Sequence, residues 1–181
     1  GPEHLQNALA SYERNLVRLN SRVDRQLRGE QVLTMEEKLG FNVFMGKGRC
    51  GTCHFAPLFN GTVPPAFLHT ESEVLGVPAT PAGRRLDPDP GRYAHTRLPQ
   101  LRHSFKTPTV RNVALTAPYM HNGAYRTLQE VIEFYDQGGG QGLGLPVDNQ
   151  TLPPDKLHLT TQEKQALEAF LRALTDDDPA A

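Results

Sequence analysis

The sequence predicts a mostly α-helical domain of short helices, separated by long proline- and glycine-rich loops and packed around something larger than their own side chains. Three observations lead there. Three Thr-x-x-Glu segments have the form of helix capping boxes, each followed by apolar residues at helical spacing. The 181 residues include 16 glycines and 15 prolines, more than a simple helical bundle tolerates. No stretch alternates as a half-buried strand would, so nothing reads as a sheet.

Taken in order, Gly1-Pro2 has the look of a protease-cleavage scar and is kept out of the fold assignment. Residues 3–29 read as a helix and a polar linker, with Leu5, Ala8, Leu9, Tyr12, Leu16 and Leu19 on one face. Thr34-Met35-Glu36-Glu37 opens a second helix that runs to about Phe44 or Met45, with Leu39, Val43 and Phe44 turned inward. Gly46 and Gly48 end it. Residues 55–105 carry too many prolines for a long helix and read as a loop wrapped over the surface, long enough to cover a cofactor. Thr127 opens a helix containing Val131, Ile132, Phe134 and Tyr135, which stops at Gly138-Gly139-Gly140. Thr160 opens the last, with Ala166, Leu167, Phe170, Leu171 and Leu174 as its stripe. The main domain thus covers 30–175, and 176–181 is an acidic tail.

Bulk properties exclude some classes. Formal net charge is −1, so no basic field suggests nucleic acid. No run of about 18 apolar residues suggests a membrane span.

Cys50-Gly51-Thr52-Cys53-His54 holds both cysteines of the chain, with a histidine directly after the second. This spacing reads as a c-type haem attachment site: each thiol can bond one vinyl group, and His54 can reach the iron from the same side. A closed zinc site wants four ligands, usually as two pairs, and there is no second pair. A redox dithiol wants a preceding strand, whereas the residues before Cys50 look helical. The domain is therefore expected to be a c-type cytochrome domain, with one covalent haem supplying the missing core. Such attachment takes place outside the bacterial inner membrane, so the periplasm is the expected location.

The sixth iron position decides between electron carrier and catalyst. Met35 stands at a helix start, and Met45 reads as core. Met120 lies in Thr116-Ala117-Pro118-Tyr119-Met120-His121-Asn122-Gly123, an irregular loop able to hold a side chain at a fixed point. Its soft sulfur suits haem iron, and the alternative for it is a gap-filling core role. His121 is the rival ligand. Arg111 is the candidate partner for a haem propionate, since guanidinium matches carboxylate two-pronged; a plain surface arginine is the alternative.

These segments together resemble the bacterial dihaem cytochrome c peroxidase family, including its MauG-like members. The match runs through Gly46–His54, then Phe105-Lys106-Thr107-Pro108-Thr109-Val110-Arg111-Asn112-Val113, then Leu115–Gly123, and continues to Phe134-Tyr135. The resemblance is to the C-terminal, electron-accepting haem domain only. It implies Cys50 and Cys53 as tethers, His54 as proximal ligand and Met120 as distal ligand. It implies three partners: a missing N-terminal peroxidatic haem domain, a small electron-donor protein (a cytochrome c or a cupredoxin), and a second copy through the exposed junction face. Calcium at the domain junction is a further implication, with half of its site absent from this chain. Ala8-Leu9-Ala10-Ser11-Tyr12-Glu13-Arg14-Asn15-Leu16-Val17 resembles the last helix of the absent domain, so the chain is expected to be a piece of a longer protein.

The expected role is electron transfer through a six-coordinate haem that feeds a peroxidase site, with no catalytic residue in this chain. The alternative is a stand-alone haem peroxidase or small-ligand sensor whose distal methionine can be displaced. His121 is then the only nearby group for proton work.

Overall fold

Thr34, Thr127 and Thr160 each cap a helix, as their spacing predicts. In the computed structural model, which describes residues 1–17 and 19–176, each threonine hydroxyl accepts the backbone N–H three residues on. The glutamate at that position accepts the threonine's own N–H in return. The helices they open are α3 (Met35–Met45), α5 (Leu128–Asp136) and α7 (Thr161–Ala173). Between them lie α4 (Tyr93–Thr96) and, after α5, α6 (Gly139–Gly142). Before them come α1 (Pro2–Asn15) and α2 (Arg22–Leu27).

The core forms where α3 crosses α7. Phe44 and Phe170 are buried, together with Phe59 from the loop beyond, and their rings meet edge-on at 5.2–5.9 Å. Such contacts add about 1 kcal/mol each beyond the area they bury. Gly40 makes the crossing close: a Cβ there would overlap the Ala166 carbonyl oxygen and stand 2.7 Å from Phe170 Cβ. A mid-helix glycine costs roughly 1 kcal/mol against alanine, and here the backbone approach it permits requires it. The expected stripe of α7 is buried at all five positions, Ala166, Leu167, Phe170, Leu171 and Leu174. Lys164 ties α7 to α5, reaching Glu133 and Asp136 at 2.6 Å each.

Several expectations need correction. A small sheet exists: β1 (Ser72–Val74) pairs antiparallel with β2 (Ser104–Lys106), Ser72 opposite Lys106. Three-residue strands are too short to show alternation, and this pairing is set by tertiary contacts. The polar linker contains α2, capped by Ser21 and Asp24 in a reciprocal box. Gly138 does end α5 with φ +87°, but Gly139 and Gly140 start the helical turn of α6. α1 forms where the period predicts it yet buries none of its residues, leaving Leu5, Leu9, Tyr12 and Leu16 exposed. Met45, expected in the core, is 45% exposed. Of the acidic tail, Asp176 is held by Asn112 and Asn20; residues 177–181 lie outside the described residues. Among the described residues no helix is long and apolar enough to cross a membrane.

Candidate functional site

The site begins at the end of α3. Gly48 donates its N–H to the Val43 carbonyl, and Arg49 adopts φ +57°. A 3-10 turn at Cys50–Thr52 follows, in which the Cys53 and His54 N–H groups both return to the Cys50 carbonyl. That turn brings Cys50, Cys53 and His54 to one cavity of about 460 Å³, a size usual for cofactor sites. The two thiols are not bonded to each other. Burial pushes the Cys50 thiol up to about 12 and also raises Cys53, with Glu73 adding to the latter. Burial thus disfavours the thiolate at both positions, the opposite of the lowered pKa that activates a reactive dithiol.

His54 has a fixed tautomer. Its Nδ1 lies 3.0 Å from the Pro108 carbonyl oxygen. A carbonyl only accepts, so Nδ1 carries the hydrogen and Nε2 keeps its lone pair. Burial lowers the imidazole's pKa, which favours the neutral, ligating form. Pro108 is held in turn: Val110 donates to the Phe59 carbonyl, Thr109 Oγ1 to Leu58, and Gly61 to the Thr107 carbonyl.

The cavity wall is mostly apolar, with Leu75, Val77, Val110, Leu128, Ile132 and Leu167 among its residues, and carries charged groups such as Glu73 and Lys106. Met120 lines the same cavity, partly buried against Val77, Ala124, Tyr125 and Phe134. His121 also lines it, but its ring stacks on Phe105 at 3.7 Å, and its Nε2 lies 3.2 Å from Asp87 Oδ1. Two thiols on one turn, an imidazole oriented through its Nδ1, a thioether and a mostly apolar wall suit a covalently tethered haem. Among the described residues no group of three or more His, Cys, Asp or Glu gathers to hold a separate metal ion.

Arg111 is elsewhere. Its Nη1 and Nη2 lie 2.8 Å from the two Asp24 oxygens, Nη2 also donates to the Pro57 carbonyl, and it is not among the cavity's lining residues. The fork expected to face a propionate closes on Asp24, whose carboxylate also accepts the Ser21 N–H and hydroxyl.

No family model matches the chain. It is 38% identical over 184 residues to the cytochrome-c peroxidase IdrP2 of Denitromonas iodatirespirans, covering 93% of this chain and 48% of that protein. It is 30% identical to the methylamine utilization protein MauG of Methylorubrum extorquens, covering 100% and 46%. The crystal structure of a MauG-like protein associated with microbial copper homeostasis superposes with a TM-score of 0.74 at 31% identity, covering 90% of this chain and 50% of that one. The chain belongs to the MauG-like dihaem cytochrome c peroxidase family. It spans about half the length of the curated relatives it matches, consistent with the C-terminal haem domain that its motifs resemble.

Cys50, Cys53, His54 and Met120 thus meet at one cavity, and Arg111 stands apart from it. Three participants escaped sequence reasoning: the Pro108 carbonyl, Phe105 and Asp87. The first is a backbone atom with no residue signature. Asp87 lies in the proline-rich loop, where the sequence offers no period from which its neighbours can be read.

Proposed function

We propose that this chain is the C-terminal, electron-accepting domain of a dihaem peroxidase, relaying electrons through one c-type haem toward a separate site that reduces hydrogen peroxide. A single observation carries this reading. Among residues lining one cavity, His54 offers an imidazole oriented through its Nδ1 and Met120 a thioether, while the imidazole beside Met120 is already engaged by Asp87.

Haem bound there supplies reversible one-electron iron chemistry, and methionine–histidine ligation raises its potential. The residues of the chain do the rest. Cys50 and Cys53 would tether the macrocycle, the Pro108 carbonyl orients His54, and the mostly apolar wall would pack against the bound group. The electron source is a small donor protein, a cytochrome c or a cupredoxin, and the setting is the periplasm. The unburied face of α1 is where the N-terminal domain, or in its absence a second copy, packs.

A second reading draws on His121 and Asp87, an imidazole–carboxylate pair on the cavity wall. Were Met120 to leave the iron, that pair would serve proton transfer in a stand-alone peroxidase or a small-ligand sensor. Cyanide separates the two. The oxidised, haem-loaded chain is expected to bind cyanide slowly and to consume no peroxide on its own; fast binding with peroxide turnover establishes the second reading instead.

A further inference from the structure

Met120 has φ +69°, a conformation disfavoured for any residue with a side chain, so the surroundings must hold it. Two holds are local. The Tyr119 N–H donates to the Tyr125 carbonyl at 2.7 Å, and the Gly123 N–H to the Met120 carbonyl at 3.3 Å.

The others come from far away in the chain. Asp87, in the proline-rich loop, grips both residues that follow Met120. Its Oδ2 accepts from Asn122 Nδ2 at 2.9 Å, and its Oδ1 takes His121 Nε2 at 3.2 Å. Asp87 is itself held, its N–H donating to the Val77 carbonyl and its Oδ1 accepting the Asp89 N–H, both at 3.0 Å. Phe105 closes the other side by stacking on His121. Asn122 is held twice more: Nδ2 donates to the Pro78 carbonyl, and Oδ1 accepts the Ala124 N–H.

We infer that Asp87 is a positioning residue: through His121 and Asn122 it fixes the loop that presents the Met120 thioether to the cavity. The inference rests on Met120 being the distal ligand. With this carboxylate in place, His121 is kept out of competition for the metal and Met120 is kept in its strained backbone state. Without it, the loop samples arrangements in which the sulfur is withdrawn.

The test uses the haem-loaded chain and reads the sulfur-to-iron charge-transfer absorption of the oxidised form together with cyanide affinity. Asp87→Ala is expected to weaken the band and to tighten apparent cyanide binding about tenfold, because the ligand-competent population grows by that factor. Asp87→Asn keeps an acceptor oxygen for Asn122 and is expected to restore most of the band. Asn122→Ala removes one of the two grips and serves if Asp87→Ala does not yield folded protein; its expected effect lies between the parent and full loss. Met120→Ala is the control. If Met120→Ala abolishes the band while Asp87→Ala and Asn122→Ala match the parent in both readouts, the positioning role is overturned. If Met120→Ala itself leaves the band intact, the ligand assignment fails first.

Discussion

Replacing Met120 by alanine is expected to turn the oxidised, haem-loaded chain from a low-spin to a high-spin form that binds cyanide rapidly. Of the three methionines, Met120 alone lines the cavity; Met35 is exposed at the start of α3, and Met45 is half-exposed with its sulfur near Gly51. The reduction potential is expected to fall by a sizeable part of the roughly 0.8 V over which axial ligands tune haem iron. His121→Ala is the companion variant. Because the His121 ring is stacked on Phe105 and its Nε2 faces Asp87, the sulfur signature is expected to persist in it, though weakened. Should Met120→Ala leave the spectrum unchanged while His121→Ala alters it fundamentally, the distal ligand is the imidazole.

Breaking the Asp24–Arg111 pair is expected to cost about 3 kcal/mol of stability in either single variant, Asp24→Asn or Arg111→Ala, because each strands a buried charge or its partner. Both side chains are under a tenth exposed, and both prongs are 2.8 Å long. The pair fastens α2 to the segment that also carries Pro108. The double variant is expected to cost less than the sum of the two singles. Burial alone would raise the Asp24 carboxyl, but hydrogen bonds from Arg111 and Ser21, with the Arg111 charge, hold it below the usual carboxylate range. A depressed folded value means that this stabilisation is fully present above the unfolded carboxylate value of about 4, and is lost as pH falls through the folded one. Acid unfolding of the parent and of Asp24→Asn should therefore converge at low pH. An Arg111→Ala variant of unchanged stability but reduced haem retention would return Arg111 to the propionate.

What the sequence made legible follows from the range of the forces involved. The capping boxes at Thr34, Thr127 and Thr160 are interactions over three residues, and all three form as read. The stripe of α7 is likewise a local period, and its burial against α3 followed. The Cys50–His54 turn is local too, which is why its residues converge on one cavity. Long-range pairings were not legible. Ser72 facing Lys106, Arg111 closing on Asp24, and Asp87 gripping His121 and Asn122 each join segments 34 to 87 residues apart, as their sequence numbers and hydrogen bonds show. Ser21-Arg22-Val23-Asp24 is a local signal too, but a weaker one, because aspartate stands where glutamate is usual. The α1 stripe shows the opposite failure: its period is real, but a period does not say what covers it.

The most direct test of the central claim is the intact mass of the chain produced in cells that attach haem c. The expected mass is that of the polypeptide plus one porphyrin with its iron, unchanged by denaturation and lost when Cys50 and Cys53 are both replaced by serine. A denatured mass equal to the bare polypeptide, with both thiols free to react with an alkylating reagent, would contradict the account.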